Sequence, residues 1–218
     1  KLCHPDDLEE SKRALQACFE GRSEYYRFEY RMRHKNGAWV WILDHGKVIT
    51  WTQDGKPEWM YGTHQDTTER KQAEAKLREN EAKLRLMIEQ SPLGVCINGL
   101  DGTFVSVNPA YEALTGYTEE ELKKLTFFDI THPDDRPENR QLFHGMTVNE
   151  SVSFRMEKRY IRKDGSGRYV IIHAGPICDP SGAPLFRLAL VEDITEQKKA
   201  DEEHETLRGQ LAQAQKME

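Results

Sequence analysis

Apolar and charged residues alternate without interruption from position 26 to 33, with Tyr26, Phe28, Tyr30 and Met32 on one side and Arg27, Glu29, Arg31 and Arg33 on the other. A period of two predicts an antiparallel strand buried on one face. Lys35-Asn36-Gly37 follows, then Trp39-Val40-Trp41-Ile42-Leu43. An Asn-Gly step between two such runs predicts a hairpin. The arrangement returns later as Phe154, Met156 and Tyr160, a turn at Asp164-Gly165, and Tyr169-Val170-Ile171-Ile172, while Asp54-Gly55 and Ser181-Gly182 open a third strand in each place. Only the later set has a front half. Val95-Cys96-Ile97 reads as a strand, Asp101-Gly102 as a turn and Phe104 to Val107 as a second strand. Short helical stretches from Pro109 to Leu114 and from Thr118 to Leu125 come next, the second opened by a Thr118/Glu121 capping box, then a longer helix from about Pro133 to Phe143. This order predicts an α+β fold with five antiparallel strands and the helices grouped on one side.

The two sets are in register along the chain. His4-Pro5-Asp6-Asp7 returns as His132-Pro133-Asp134-Asp135, Asn36-Gly37 as Asp164-Gly165, and Asp66-Thr67-Thr68-Glu69 as Asp193-Ile194-Thr195-Glu196, at offsets of 128, 128 and 127. A near-constant offset across unlike motifs predicts a duplicated domain. The expected organisation is the back half of a first domain over 1–66, a connecting helix over 67–91, a complete second domain over 92–194 and a terminal helix over 195–218. On this reading the chain starts inside its first domain.

Long polar segments follow each copy. Thr67 to Gln90 carries Leu77, Leu84 and Ile88, and Glu196 to Glu218 carries Ala200, Leu207 and Ala214 every seven residues with Leu211 between. Seven-residue spacing is that of a coiled-coil seam; the alternative is a solvated linker helix within one chain. The last strand, Leu185 to Val191, is apolar on both faces, so its second face asks for a helix or a second subunit, which points to a homodimer.

Composition narrows the classes. Hydrophobic residues make up 37% and charged residues 31%, the net charge is −6, and the pI of about 5.8 argues against a nucleic-acid footprint. No apolar run approaches the ~20 residues that span a bilayer, so a cytoplasmic segment without membrane contact is expected. Cys3, Cys18, Cys96 and Cys178 lack zinc or redox spacing and read as reduced thiols. The His-Pro-Asp-Asp motifs offer an imidazole and two carboxylates, but each precedes a helical stretch, where proline and acidic residues are suited to the first turn. They are read as helix starts, with no metal site. Asp66 and Asp193, with Glu69 and Glu196 three residues on, are read as helix N-caps that define a strand-to-helix joint. His204 falls along the terminal coil seam. No phosphate-cradling glycine loop or nucleophile elbow is present, so no catalytic residue is assigned.

Asn108-Pro109-Ala110-Tyr111, Leu114-Thr115-Gly116-Tyr117, the His-Pro-Asp-Asp step, the Asp-Gly hairpin and the Asp-Ile-Thr-Glu exit, in that order, resemble the PAS family with its C-terminal PAC segment. The tail from Gln210 to Glu218 is similar to the stretch leading into the dimerisation and phosphoacceptor helices of bacterial sensor histidine kinases. The resemblance implies a non-catalytic sensory and dimerisation module of a two-component phosphorelay. Its output kinase would lie in the same chain and act on a response regulator, and any membrane anchor of the parent would lie outside these residues. The alternatives are control of a cyclic-dinucleotide synthase or phosphodiesterase, or a dimerisation relay without ligand. Carried over by position, the wall of a ligand pocket would be Val95, Ile97, Tyr111, Leu114, Leu122, Phe127, Met156, Val170, Ile172 and Val191, all apolar or aromatic. Signal transmission would fall to Asp66, Glu69, Asp193, Thr195 and Glu196. The match to the flavin-adduct motif of light-sensing relatives reads Thr126-Phe127-Phe128, without the reactive cysteine, so adduct chemistry is not expected. A lone His144 near the end of the longer helix does not support haem. What remains is a filled core, which an all-apolar wall suits, or a cavity for a small-molecule ligand.

Overall fold

The strict alternation over 26–33 becomes β1 (Tyr26–Arg33), an eight-residue strand that pairs antiparallel with β2 (Trp39–Trp51), itself paired with β3 (Pro57–Asp66) in a sheet of order β1-β2-β3. Gly37, at φ +88°, supplies the left-handed residue that the turn between β1 and β2 requires. Helix α1 (Pro5–Phe19) packs Cys18 against Tyr26 and Val48 in a small core. The computed structural model describes residues 2–148 and 153–215. The chain divides into two units, Lys1–Lys83 and Leu84–Glu218.

In the second unit β4 (Gly94–Asn98), β5 (Phe104–Val107), β6 (Phe154–Ile161), β7 (Gly167–Cys178) and β8 (Pro184–Asp193) form a five-stranded antiparallel sheet of order β5-β4-β8-β7-β6. Of the front-half strands, β4 thus pairs with the last strand and β5 lies at the edge beyond it. Helices α3 (Pro109–Thr115) and α4 (Glu119–Leu122) are short, and the capping box at Thr118 and Glu121 is formed as expected. The longer helix differs from expectation: Pro133–Asp135 is a 3₁₀ turn and α5 starts at Arg136, running to Val148. Pro137, at the second position of α5, lacks an N–H where none is needed, which suits it to a helix start. Tyr111, Leu122, Ile130, Val170 and Val191 are the solid centre of this core, each at most 2% exposed.

Two long polar helices complete the chain, α2 (Thr68–Glu89) and α6 (Thr195–Gln215). No residue of α2 is buried, and Leu77, Leu84 and Ile88 are exposed. On α6, Ala200 and Leu207 are also exposed, while the side chains of Leu211 and Ala214 lie outside the described residues.

Candidate functional site

The joint between sheet and exit helix is built twice from the same parts. Asp66 Oδ1 accepts from the Thr68 N–H and Asp193 Oδ1 from the Thr195 N–H, each at 2.9 Å. These aspartates satisfy an amide of the first helical turn, but from one position before the N-cap and not as the N-caps expected, since the first intrahelical bonds end on the Thr67 and Ile194 carbonyls. The hydroxyl of that same threonine turns back to the sheet, where Thr68 Oγ1 accepts from the Trp41 N–H at 2.9 Å and Thr195 Oγ1 from the Tyr169 N–H at 3.0 Å. The carbonyls of Trp41 and Tyr169 accept from the N–H groups of Thr67 and Ile194. Both backbone groups of one residue in the middle strand are therefore spent on the helix start.

Glu69 and Glu196 do not take part as expected. Both are exposed, and among the described residues Glu196 pairs with Lys199, one turn along its own helix. The carboxylates that reach the exit helices come from the first hairpin strand: Glu29 meets Lys71 at 2.8 Å and Glu157 meets Lys198 at 2.8 Å. Glu29 and Glu157 occupy charged positions of the alternating strands, so periodicity places them on a face but does not disclose their partners. At the His-Pro-Asp-Asp motifs the imidazole Nδ1 of His4 and of His132 accepts from the N–H two residues on, as a helix cap does. The second aspartate of each motif instead holds an arginine of the first hairpin strand, Asp7 with Arg31 and Asp135 with Arg159. Among the described residues no three His, Cys, Asp or Glu side chains come together as a metal cluster.

A cavity of about 30 Å³ lies within the second unit between the sheet, α5 and Phe127. Of the ten wall positions expected from sequence, only Phe127 and Ile172 line it. Tyr111, Leu114, Leu122, Met156, Val170 and Val191 are filled core. Val95 and Ile97 fall outside that core, and the reason is strand register: Cys96 and Asn98 line the cavity, so Val95 and Ile97, which alternate with them in β4, point to the other face of the sheet. The expectation of a wholly apolar wall is also overturned. Asn98, Asn139, Lys158 and Arg187 all line the cavity, and each of the four is at most 4% exposed.

Lys158 occupies the apolar stripe of β6, two residues from Met156 and two from Tyr160. Its Nζ donates to Asn139 Oδ1 at 2.6 Å and to Thr131 Oγ1 at 3.1 Å, and lies 4.9 Å from the ring centroid of Tyr160 and 5.2 Å from that of Phe127. Burial pushes its ammonium down to about 7, although Cys96 and Asp135 act in the other direction. Arg187 donates to the Phe143 carbonyl at 3.2 Å with its guanidinium 3.7 Å from the Phe143 ring centroid. Cys96 is buried, and desolvation raises its thiol to about 12, so it is no nucleophile there. His144 is exposed and does not line the cavity. The lysine interrupting Phe154-x-Met156-x-Lys158-x-Tyr160 and the arginine preceding Ala189 and Val191 at the same spacing are the sequence signals for these cations.

Among the described residues no helix is long and apolar enough to cross a membrane. The protein named "Probable diguanylate cyclase DgcE" of Escherichia coli is 30% identical over 131 residues, 60% of this chain and 12% of that protein. The two-component sensor PprA of Pseudomonas aeruginosa is 26% identical over 215 residues, 98% of this chain and 22% of that protein. The chain thus spans less than a quarter of the length of these curated relatives. The solved structure of an RNA-binding Light-Oxygen-Voltage receptor matches with a TM-score of 0.50 at 13% identity, covering 95% of this chain and 88% of that one, a likeness of fold alone. The profile of the PAS fold matches residues 1–64 and 104–191, and on that evidence the chain belongs to the PAS family of sensory domains found in signalling proteins.

Proposed function

We propose that this chain is a non-catalytic relay of PAS units in tandem, which passes a change in the sheet through the Asp193–Thr195 joint into α6 and on to a histidine kinase in a two-component phosphorelay. The observation that carries this reading is the repeated joint, in which the Trp41 and Tyr169 backbones each lose both hydrogen-bonding groups to an exit helix. A displacement of the middle strand has to move the first turn of the helix or break these bonds. The proposal extends to a cytoplasmic homodimer with α2 and α6 as coiled coils. Its support is the exposed Leu84, Ile88 and Leu207 on helices without internal cover, and Leu190, exposed on the outward face of β8. The response regulator would be reached through the parent protein.

The test is made in the full-length protein. Asp193→Ala and Thr195→Val are expected to uncouple stimulus from autophosphorylation while the protein remains folded; unchanged basal and stimulated rates in both variants would overturn the joint as the transmission point. Sedimentation at tens of micromolar that shows monomer alone removes the dimer. The similarity to DgcE favours a second output, synthesis of a cyclic dinucleotide. Product formed from GTP, with no phosphorylated histidine, would establish that output in place of the kinase.

A further inference from the structure

A buried lysine is ordinarily paired with a carboxylate, because a lone ammonium in a low-dielectric interior is costly. Lys158 is 4% exposed, and among the described residues no carboxylate lies within ion-pair distance of it. Its neighbours are neutral: the Asn139 amide, the Thr131 hydroxyl and the rings of Tyr160 and Phe127. These contacts orient a cation and leave its charge uncompensated. An ammonium has three donors, and the two hydrogen bonds to Asn139 and Thr131 use two of them. The cavity beside it has room for about two water-sized groups, and the rest of its wall combines Phe127, Phe143, Phe154 and Ile172 with the polar side chains of Asn98 and Arg187. Lys158, with Arg187 as a second cation on the wall and the rings of Phe127, Phe143 and Phe154 around them, matches a ligand with one anionic end and a short carbon body. A fully hydrated inorganic anion would forfeit its water against the rings and methyl groups.

We propose that the cavity of the second unit is a binding site for a small aliphatic carboxylate of about the size of acetate, its carboxylate taking the third donor of Lys158 and its methyl end meeting the apolar wall. The inference rests on the reading of this unit as a sensory domain and names the class of ligand it senses. It is confined to the second unit, since the residue 128 positions earlier on the equivalent strand is Tyr30.

The test uses the 218-residue chain, ¹⁵N-labelled, titrated separately with sodium acetate, sodium chloride and neutral acetamide. Acetate is expected to shift the amides of Lys158, Ile172 and Ala174 saturably with a dissociation constant of ~1–10 mM. Acetamide, which has the same shape without the charge, should bind at least about tenfold more weakly, as should acetate to Lys158→Met with the remaining sheet resonances in place. Acetate and acetamide titrating alike, chloride matching acetate, Lys158→Met binding as the wild type does, or no saturable shift in the wild type would each overturn the proposal. The wild-type comparison of acetate with acetamide decides the matter even if the variant misfolds. A negative result here removes the ligand class alone, whereas the relay stands or falls by the phosphorylation of the joint variants.

Discussion

Asp135 grips Arg159 at three points: Oδ2 accepts from the arginine backbone N–H at 2.7 Å and from Nε at 3.1 Å, while Oδ1 accepts from Nη2 at 2.7 Å. Asp7 and Arg31 repeat the grip at 2.9, 2.9 and 2.7 Å. A carboxylate from the helix start thus satisfies a main-chain donor on a sheet edge and fixes a guanidinium in the same act, with bidentate geometry that adds direction to charge. The Arg159 hydrogen bonds hold the Asp135 carboxyl below the usual carboxylate range. Because the folded value lies below the unfolded one, the stabilisation is complete above the unfolded value of ~3.9 and disappears as pH falls through the folded value. Asp135→Ala is expected to cost about 1–3 kcal/mol at pH 7 and to weaken the acid limb of stability below pH 4, read by urea unfolding at several pH values.

Lys158 acts in the opposite sense. Its folded value of about 7 lies below the ~10.4 of an unfolded lysine, so between these values the unfolded chain holds the extra proton and stability rises with pH. Below pH 7 both states are charged and the burial cost is constant. The groups that act on the ammonium are the Cys96 thiol and Asp135, with the Tyr160 ring and hydroxyl packed beside it. The wild type should gain roughly 2–4 kcal/mol between pH 7 and pH 10 from this group, and Lys158→Met should lack that rise. Unfolding curves of the two proteins across the range measure it.

Asn108 spends its whole side chain on tying elements together. Oδ1 accepts from the Val95 N–H at 2.8 Å and the Tyr111 N–H at 3.0 Å, and Nδ2 donates to the Ile88 and Leu93 carbonyls at 2.9 Å each. It caps α3 while joining the end of α2 to β4, at 2% exposure. Asn108→Ala leaves buried donors and acceptors unmatched and should destabilise the second unit by about 2–4 kcal/mol, read as a lowered melting temperature.

Thr195→Val is isosteric and removes the acceptor for the Tyr169 N–H together with the long 3.5 Å bond that the hydroxyl donates to the Tyr169 carbonyl. Global stability should fall by about 1 kcal/mol, while the Tyr169 amide exchanges hydrogen at least about tenfold faster than in the wild type. Exchange at the wild-type rate would show that the joint bond is not formed in solution.

Local order was largely legible from the chain. The hairpins around Gly37 and Gly165, the capping box at Thr118 and the aspartates that receive the first amides of α2 and α6 depend on residues within a few positions of one another, which is the range over which periodicity and turn chemistry operate. The cavity wall was not legible. A choice between Val95 and Cys96 as the inward residue rests on strand register, and a run of consecutive apolar residues carries no alternation from which to read it. Glu29 and Glu157 show the same limit at the joints: their partners lie 42 and 41 residues on in sequence, as Lys71 and Lys198.

By itself the sequence determined the α+β class, the two sets of three hairpin-linked strands and where each exit helix begins, because these follow from spacing along one strand or one turn. Only the tertiary structure decided that Lys158, Asn139 and Arg187 share a cavity with Phe127. Those residues come from β6, α5, β8 and an intervening loop, and what brings them together is the order β5-β4-β8-β7-β6 in which the sheet closes, with α5 packed across it. A charged residue in an apolar stripe is visible in a sequence; whether it meets solvent, a carboxylate or an enclosed space depends on which distant elements cover it.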